Sequence, residues 1–567
     1  MCASLSPGLD EFGGLEVHDA THRRSPAIPA KNWTCSTLDE GAGTVSDENK
    51  PGGFSRRDMM RVLAAGGILA TGAGGMLAGA SKALADTPKK GGKIRAAYDA
   101  SSTADTLDPA KGSTGTDYIR FFMFYSGLTQ FDASLTPQPA LAESFASSDA
   151  KVWIVKLRKG VTFHDGKSLD TADVVYSLLR HKNPATGSKV KSVADQFDDI
   201  KATGPNEIQI TLTQPNADLP SILATPQLVI VKNGVSDFST AVGTGPFKVK
   251  TFKPGVTTVG VRNANYWRPG KPYLDEVELI GIGDDAARVN ALLSGDVHLI
   301  AAVDPRATQR IASTPGYAIQ ETKSGLYTDL IMRRDNPLTG NPDFVQGMKY
   351  LFDREQIRNS VFRGYAVVGN DQPIPPSHRY FFAGLPQRPY DLDRAKFHLQ
   401  KAGAVGATVP PIFATTAANG SIEMAVLMQQ SAQKIGVNLT VNRVPTDGYW
   451  SNHWMKHPLG FGSINPRPSA DVLFTQFFKS DAPWNESGWK NAQFDQLLLA
   501  ARAETDDAKR KQIYADMQTI VSNEGGIGIP AFLSLLDGYD VKLKGLGAIP
   551  TGGMMGFSFA ENVWLSA

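Results

Sequence analysis

The chain has 567 residues, 41% of them hydrophobic and 20% charged, with 58 Lys+Arg against 56 Asp+Glu. That length exceeds one compact core, and the apolar content excludes wholesale disorder, so at least two globular lobes are expected. A formal charge of +2 supplies no field that would draw nucleic acid or an anionic membrane.

Residues 1–50 are polar, carry no repeating apolar face and receive no function. Residues 51–85 have the order of an export signal: Arg56, Arg57 and Arg61, then the Gly/Ala-rich run Val62 to Ala80, then the small-residue site Ala83-Leu84-Ala85. The Ser55-Arg56-Arg57 start and the modest hydrophobicity look like a twin-arginine signal, cleaved near Ala85. Both cysteines, Cys2 and Cys35, precede that site. The exported product would then hold no disulfide, thiolate nucleophile or cysteine-ligated metal.

Downstream, Asp86 to Gly92 reads as a lead-in to a strand over 93–98. Alternation at Val152, Ile154, Leu157 and at Ile208, Ile210, Leu212 predicts half-buried strands, and Asp170-Thr171 opens a helix over 172–179. His164-Asp165-Gly166 reads as a turn, since adjacent side chains cannot converge on a metal and Asp-Gly is a good turn former. Gly243-Thr244-Gly245-Pro246-Phe247 lacks the Lys-Ser/Thr ending of a phosphate loop and reads as a tight turn into a strand over 248–252. His298 reads as a strand residue. Helical spacing of apolar residues covers 344–362 and 422–435, the latter followed by a strand over 437–441. Residues 492–520 form a helix pair or one interrupted helix. Mixed strands and helices throughout predict α/β packing. No Gly-x-Ser-x-Gly elbow names a hydrolase nucleophile, and His453-x-x-x-His457 lacks the glutamate of a zinc helix.

The run from Ala142-Glu143-Ser144 through Leu157-Arg158-Lys159-Gly160-Val161, Phe163-His164-Asp165-Gly166 and Ala172-Asp173-Val174 to Ser177 resembles the family 5 extracellular solute-binding proteins of ABC importers. The resemblance extends through Leu107-Asp108-Pro109, Gly243 to Phe247, Arg262-Asn263 with Tyr266-Trp267, Ala291 to Gly295, Asp353-Arg354-Glu355, Pro373 to Pro376 and Tyr539-Asp540. It covers about residues 93–567.

The resemblance implies a bilobal periplasmic-binding-protein fold of type II with an extra subdomain, lobe I comprising 86–329 plus 532–567 and lobe II 330–531. It implies a non-catalytic, monomeric periplasmic receptor without a cofactor. Such a receptor closes on a peptide or a small polar amino-acid-like solute and delivers it to the transmembrane subunits of a permease; export would use the twin-arginine machinery. A nickel or metal-chelate carrier of the same family, a secreted cleft enzyme and a chaperone-like binder are the alternatives.

In dipeptide- and oligopeptide-binding relatives an aspartate in a Gly-Trp-x-x-Asp-like loop pairs with the ligand's α-ammonium. The matching loop here is Gly460 to Asp471, which places Asn465 where that carboxylate is sought. Arg467 offers a bidentate fork to a ligand carboxylate or phosphate, forms a structural salt bridge such as one with Asp471, or stands as an exposed head. Trp450, Trp454, Phe461, Tyr125 and, more weakly, Tyr365 are candidate walls, because aromatic rings supply contact area with a polar handle.

Overall fold

A computed structural model describes residues 87–566. The leader 1–50 and the signal residues Arg56, Arg57, Ala83 and Ala85 lie outside the described residues.

Fourteen strands and seven helices carry the architecture relevant here. The strands are β1 (Lys93–Tyr98), β2 (Ala142–Ala146), β3 (Val152–Leu157), β4 (Phe197–Gly204), β5 (Glu207–Leu212), β6 (Phe247–Lys253), β7 (Thr257–Arg262), β8 (Glu276–Gly281), β9 (Leu299–Ile300), β10 (Tyr317–Met332), β11 (Ile412–Ala414), β12 (Val441–Arg443), β13 (Leu459–Ile464) and β14 (Ala531–Asp540). The helices are α1 (Gly115–Phe124), α2 (Thr171–Leu179), α3 (Pro342–Tyr350), α4 (Ser421–Lys434), α5 (Ala470–Phe477), α6 (Ala492–Ala503) and α7 (Asp507–Glu524).

One large mixed sheet runs in the order β12-β11-β13-β10-β14-β9-β1-β8-β7-β6. Its spine is the antiparallel pair β10 and β14, in register from Tyr317 opposite Asp540 to Tyr327 opposite Phe532, with an irregularity between Lys323 and Leu326. There Ser324 Oγ donates to the Leu533 carbonyl at 2.7 Å, so the break in the ladder leaves that group satisfied. A separate antiparallel sheet has the order β2-β3-β5-β4.

The cores divide accordingly into two lobes. Ile94, Phe121, Phe124, Phe247 and Val277 pack together on one side of the spine, and the four-stranded sheet has its own core of Trp153, Val155, Leu157, Ile208 and Ile210. On the other side, Leu330, Phe344, Met348, Met424 and Phe461 form one cluster, and Phe474, Phe494, Tyr514 and Tyr380 a second. Each such fully buried side chain contributes roughly 1.5–3 kcal/mol.

Several elements start where the sequence placed them. Asp170 caps α2 by accepting from the Asp173 N–H while Asp173 accepts in return, a capping box. The helix pair resolves into α6 and α7, separated at Glu504 to Asp506. Three expectations differ. In β3 the buried face is Trp153, Val155 and Leu157, whereas Val152 and Ile154 are only half-buried, because the Trp ring claims the core side and period two assigns the rest. The apolar stretch 344–362 is broken: α3 ends at Tyr350, Asp353 caps a new turn, and Ile357 to Val361 is a π turn. The strand after α4 is Val441–Arg443, later than the apolar 437–441; Val437 and Leu439 are buried but lie outside the strand.

Candidate functional site

A cavity of about 470 Å³ opens between the two lobes. That volume lies within the range of small-molecule sites. One wall is α1 and the residue after it: Tyr118, Phe122 and Tyr125 follow one another at helical spacing and line it together. Local sequence holds α1 in place. Thr114 accepts from the Asp117 N–H in a second capping box, and buried Arg120 bridges Asp117 at 2.9 Å and Asp105 at 2.6 Å. Tyr125 borders the cavity from the edge of the buried core and donates its hydroxyl to the Leu107 carbonyl at 3.0 Å, so its polar end is already satisfied. Gln227 donates to the Tyr118 hydroxyl oxygen at 3.0 Å.

A second wall is Trp267, whose indole N–H donates to Ser126 Oγ at 3.2 Å and whose ring carries the Arg268 guanidinium at 4.5 Å. Arg268 pairs with Glu561 at 2.6 Å, Lys271 approaches the same carboxylate at 3.6 Å, and Arg268 also donates to Gln130. The C-terminal segment closes this side with Met555, Phe557 and Glu561. It turns through Met554, Met555 and Phe557 at φ 52, 60 and 72°, three non-glycine residues in the left-handed region, which costs roughly 1–2 kcal/mol each. The buried Asp537 carboxylate steadies the turn by accepting from the Met554 N–H at 2.6 Å. Burial pushes that carboxyl up to about 7, against the opposing pull of this N–H.

The third wall comes from the other lobe: Pro466, Arg467, Pro468 and Ser469 after β13, then Val472 and Gln476 on α5. Arg467 donates from Nε to Gln476 Oε1 at 3.1 Å and from Nη1 to the Asn465 and Pro466 carbonyls at 3.1 and 3.3 Å, and its guanidinium lies 5.6 Å from the Phe477 ring. Burial pulls it below its ordinary value. His378 accepts from the Tyr380 N–H at Nδ1 and contacts the Pro468 carbonyl through Nε2 at 3.2 Å. Burial pushes His378 down to about 4, so it holds the loop as a neutral ring.

Ser469 accepts the Val472 N–H at the start of α5 and donates its hydroxyl to Asp218, which belongs to the opposite lobe. Asp218 is also paired with Arg510 of α7 at 2.7 Å, and Arg510 spends its other donors on the Tyr380 and Tyr514 hydroxyls and the Ala501 carbonyl. Burial alone would raise Asp218, but Arg510 and Ser469 together hold it below the usual carboxylate range. A backbone bond crosses beside the pair, from the Ala217 N–H to the Arg502 carbonyl at 2.8 Å.

Of the residues singled out from sequence, Tyr125 and Arg467 meet in this cavity. Asp471 does not pair with Arg467; it is buried against Arg502 at 3.0 Å. Phe461 is packed in the core of its lobe, and Asn465 is exposed at the end of β13. Trp454 donates its indole N–H to Glu486 at 2.7 Å, and Trp450 stands 43% exposed, edge-on to Trp454. Tyr365 is half-buried beside Leu536 and its neighbours, away from the cavity. Glu486 and Asp329 meet across Gly462, where a Cβ would come within 2.1 Å of Glu486 Oε1 and 2.7 Å of Asp329 Oδ1. Burial raises both carboxyls, most of all Asp329, which also feels Glu486.

Tyr118, Phe122 and Trp267 were missed. The i, i+4, i+7 stripe that ends at Tyr125 is a readable signal for the first two, and Trp267 lies in the Arg262-Asn263 to Tyr266-Trp267 segment that carries the family resemblance. For the tail at 549–562 no local signal existed. His164 is structural: Nδ1 accepts from the Gly243 N–H at 3.3 Å and Nε2 contacts the Gly245 carbonyl at 3.1 Å, and burial lowers its pKa. His298 accepts from the Arg95 N–H. His453 and His457 contact each other at 3.0 Å and stack on Phe413. Among the described residues no group of three or more His, Cys, Asp or Glu side chains could hold a metal ion.

A two-lobed α/β molecule with a mid-sized cavity where the lobes meet has the architecture of a periplasmic binding protein. Residues 136–486 match the model of the bacterial extracellular solute-binding proteins, family 5, and the chain belongs to that family. It is 26% identical over 484 residues to the glutathione-binding protein GsiB of Escherichia coli K12, covering 81% of this chain and 92% of that one. Two solved structures share the fold. The periplasmic binding protein DppA of Helicobacter pylori, in complex with the peptide STSA, superposes with a TM-score of 0.69 at 23% identity, over 86% of this chain and all of that one. The binding protein AgaA of A. tumefaciens R10, in complex with agropinic acid, gives 0.66 at 24%, over 84% and 99%. The chain is therefore a non-catalytic, periplasmic solute-binding component of an ABC import system.

Proposed function

We propose that this protein captures a short peptide or a small polar amino-acid-like solute in the cavity between its lobes, closes around it and presents the closed form to the transmembrane subunits of a permease. The observation that carries this reading is the loop at 466–469: Arg467 faces the cavity while Ser469, two residues on, is bonded to Asp218 of the opposite lobe. A solute touching that loop is thereby coupled to the contact between the lobes, which is what hinge closure requires. The relatives support the solute class, since one is named for glutathione and two were solved with a peptide and with agropinic acid. The residues assigned to binding are Tyr118, Tyr125, Trp267 and Arg467. Delivery to the membrane through a signal at 51–85 belongs to the same proposal.

Native mass spectrometry of the protein taken from its own periplasm, paired with its denatured mass, tests this. A small noncovalent organic mass in the native spectrum and a denatured mass beginning near Asp86 are expected. A bare metal ion as the sole cargo would move the protein to the metal-carrier class of its family.

A further inference from the structure

The cavity wall is unbalanced in charge. Arg268, Lys271 and Arg467 line it, and Glu561 is the sole carboxylate among the described lining residues. Glu561 is committed to Arg268 and Lys271. Two further carboxylates of the inter-lobe region, Asp218 and Asp471, are committed to Arg510 and Arg502. Arg467 is the exception among the cations. Its Nε and Nη1 bond to neutral oxygens, no described carboxylate lies within ion-pair reach, and Nη2 has no acceptor among the described residues.

A half-buried guanidinium without an anion is costly, and the cost is recovered when an anion accepts from the open Nη2. An ammonium group in the same cavity would find no free carboxylate and would face three cations. Resting on the solute-binding reading above, we infer that the cavity selects solutes carrying a carboxylate, seated on Arg467, and discriminates against solutes that present a cationic end. A blocked or acylated amine fits this site, and a free peptide N-terminus does not. The aromatic stripe of Tyr118, Phe122 and Tyr125 supplies apolar contact for the rest of such a solute.

The test uses the full exported chain and two equimolar pools of mixed-sequence tripeptides, one N-acetylated with free carboxylates and the other with free amines and amidated C-termini. Native mass spectrometry of protein with both pools present reads the competition directly. Acid-pool adducts should exceed amide-pool adducts by about tenfold or more, the effect of one charge-assisted hydrogen-bonded contact. Arg467→Met should bring that ratio to about one. Arg467→Lys, which keeps the charge and loses the fork, should fall between, and thermal melts establish that both variants are folded. Equal or greater binding of the amide pool, or a ratio unmoved in Arg467→Met, would overturn the inference and leave the solute-binding reading standing. No adduct from either pool would overturn that reading and the inference with it.

Discussion

At the scale of single residues, the buried ionisable groups make two measurable claims. Asp537 is raised by burial to about 7 from an ordinary 3.8. A carboxyl raised in the folded state binds its proton more tightly there than in the unfolded chain, so its contribution to stability is fully present below about 3.8 and is lost as pH rises through about 7. Asp537→Asn keeps an oxygen for the Met554 N–H and removes the titration. Denaturant unfolding at pH 5 and pH 8 should show a fall in the native protein that the variant lacks by about 3 kcal/mol; equal falls in both would refute the assignment. Arg502 makes the second claim. Asp471 is buried, and burial raises its carboxyl even with Arg502 alongside. Arg502→Met strands that carboxylate and should cost about 3–5 kcal/mol by the same measurement. The pairing itself was not legible in the sequence, because Asp471 has Arg467 four positions away and Arg502 thirty-one, and local spacing favours the nearer cation. Only the fold, by packing α6 against α5, decides for the distant one.

At the scale of elements, turns and helix starts were readable and their reasons were not. The Gly243-Thr244-Gly245 segment was legible as a turn because Pro246-Phe247 leads into a strand, which in the structure starts at Phe247. The structure explains why both flanking positions are glycine. A Cβ on Gly243 would lie 2.1 Å from the Phe124 carbonyl oxygen, and one on Gly245 would lie 2.4 Å from the Phe124 carbonyl carbon and 2.6 Å from the Tyr125 nitrogen. The turn is pressed against the backbone at the end of α1, where a side chain has no way to yield. Gly245→Ala should therefore destabilise the lobe by about 2 kcal/mol or more and displace Tyr125 from the cavity wall. A lowered melting midpoint together with weakened solute binding is expected; an unchanged midpoint would show that the backbone contact is absent. The helix caps of α1 and α2 rest on Thr114 and Asp170, local signals that any window of sequence contains. The third wall of the cavity rests instead on a loop and a helix more than 300 positions from α1, which is why Tyr125 and Arg467 were legible one by one and their meeting was not.

At the scale of the whole molecule, one of the contacts between the lobes is a buried ion pair, Asp218 with Arg510, and that choice of chemistry has a consequence. An apolar contact of the same size would favour closure whether or not a solute were present. The Asp218–Arg510 pair must give up water to form, so its Coulomb gain is largely spent against desolvation and the closed form is held only weakly by the pair itself. The remaining balance then lies with the solute, whose contacts with the loop at 466–469 are made beside Ser469, the residue that donates to Asp218. Removing the charge on one partner breaks this balance against closure, because Arg510 is left buried without its anion. If the lobes close on a solute as proposed above, Asp218→Asn should shift the population toward separated lobes and weaken the retention of a bound solute by about tenfold or more. Small-angle scattering reads the first effect as an increased radius of gyration at saturating solute, and native mass spectrometry reads the second as a loss of the bound mass. Arg510→Met with Asp218→Asn replaces the pair by uncharged groups and should recover part of the closure that the single variant loses, since neither partner is then stranded. If Asp218→Asn binds and closes as the native protein does, the pair is packing incidental to the cavity, and closure must be sought along β10 and β14 instead.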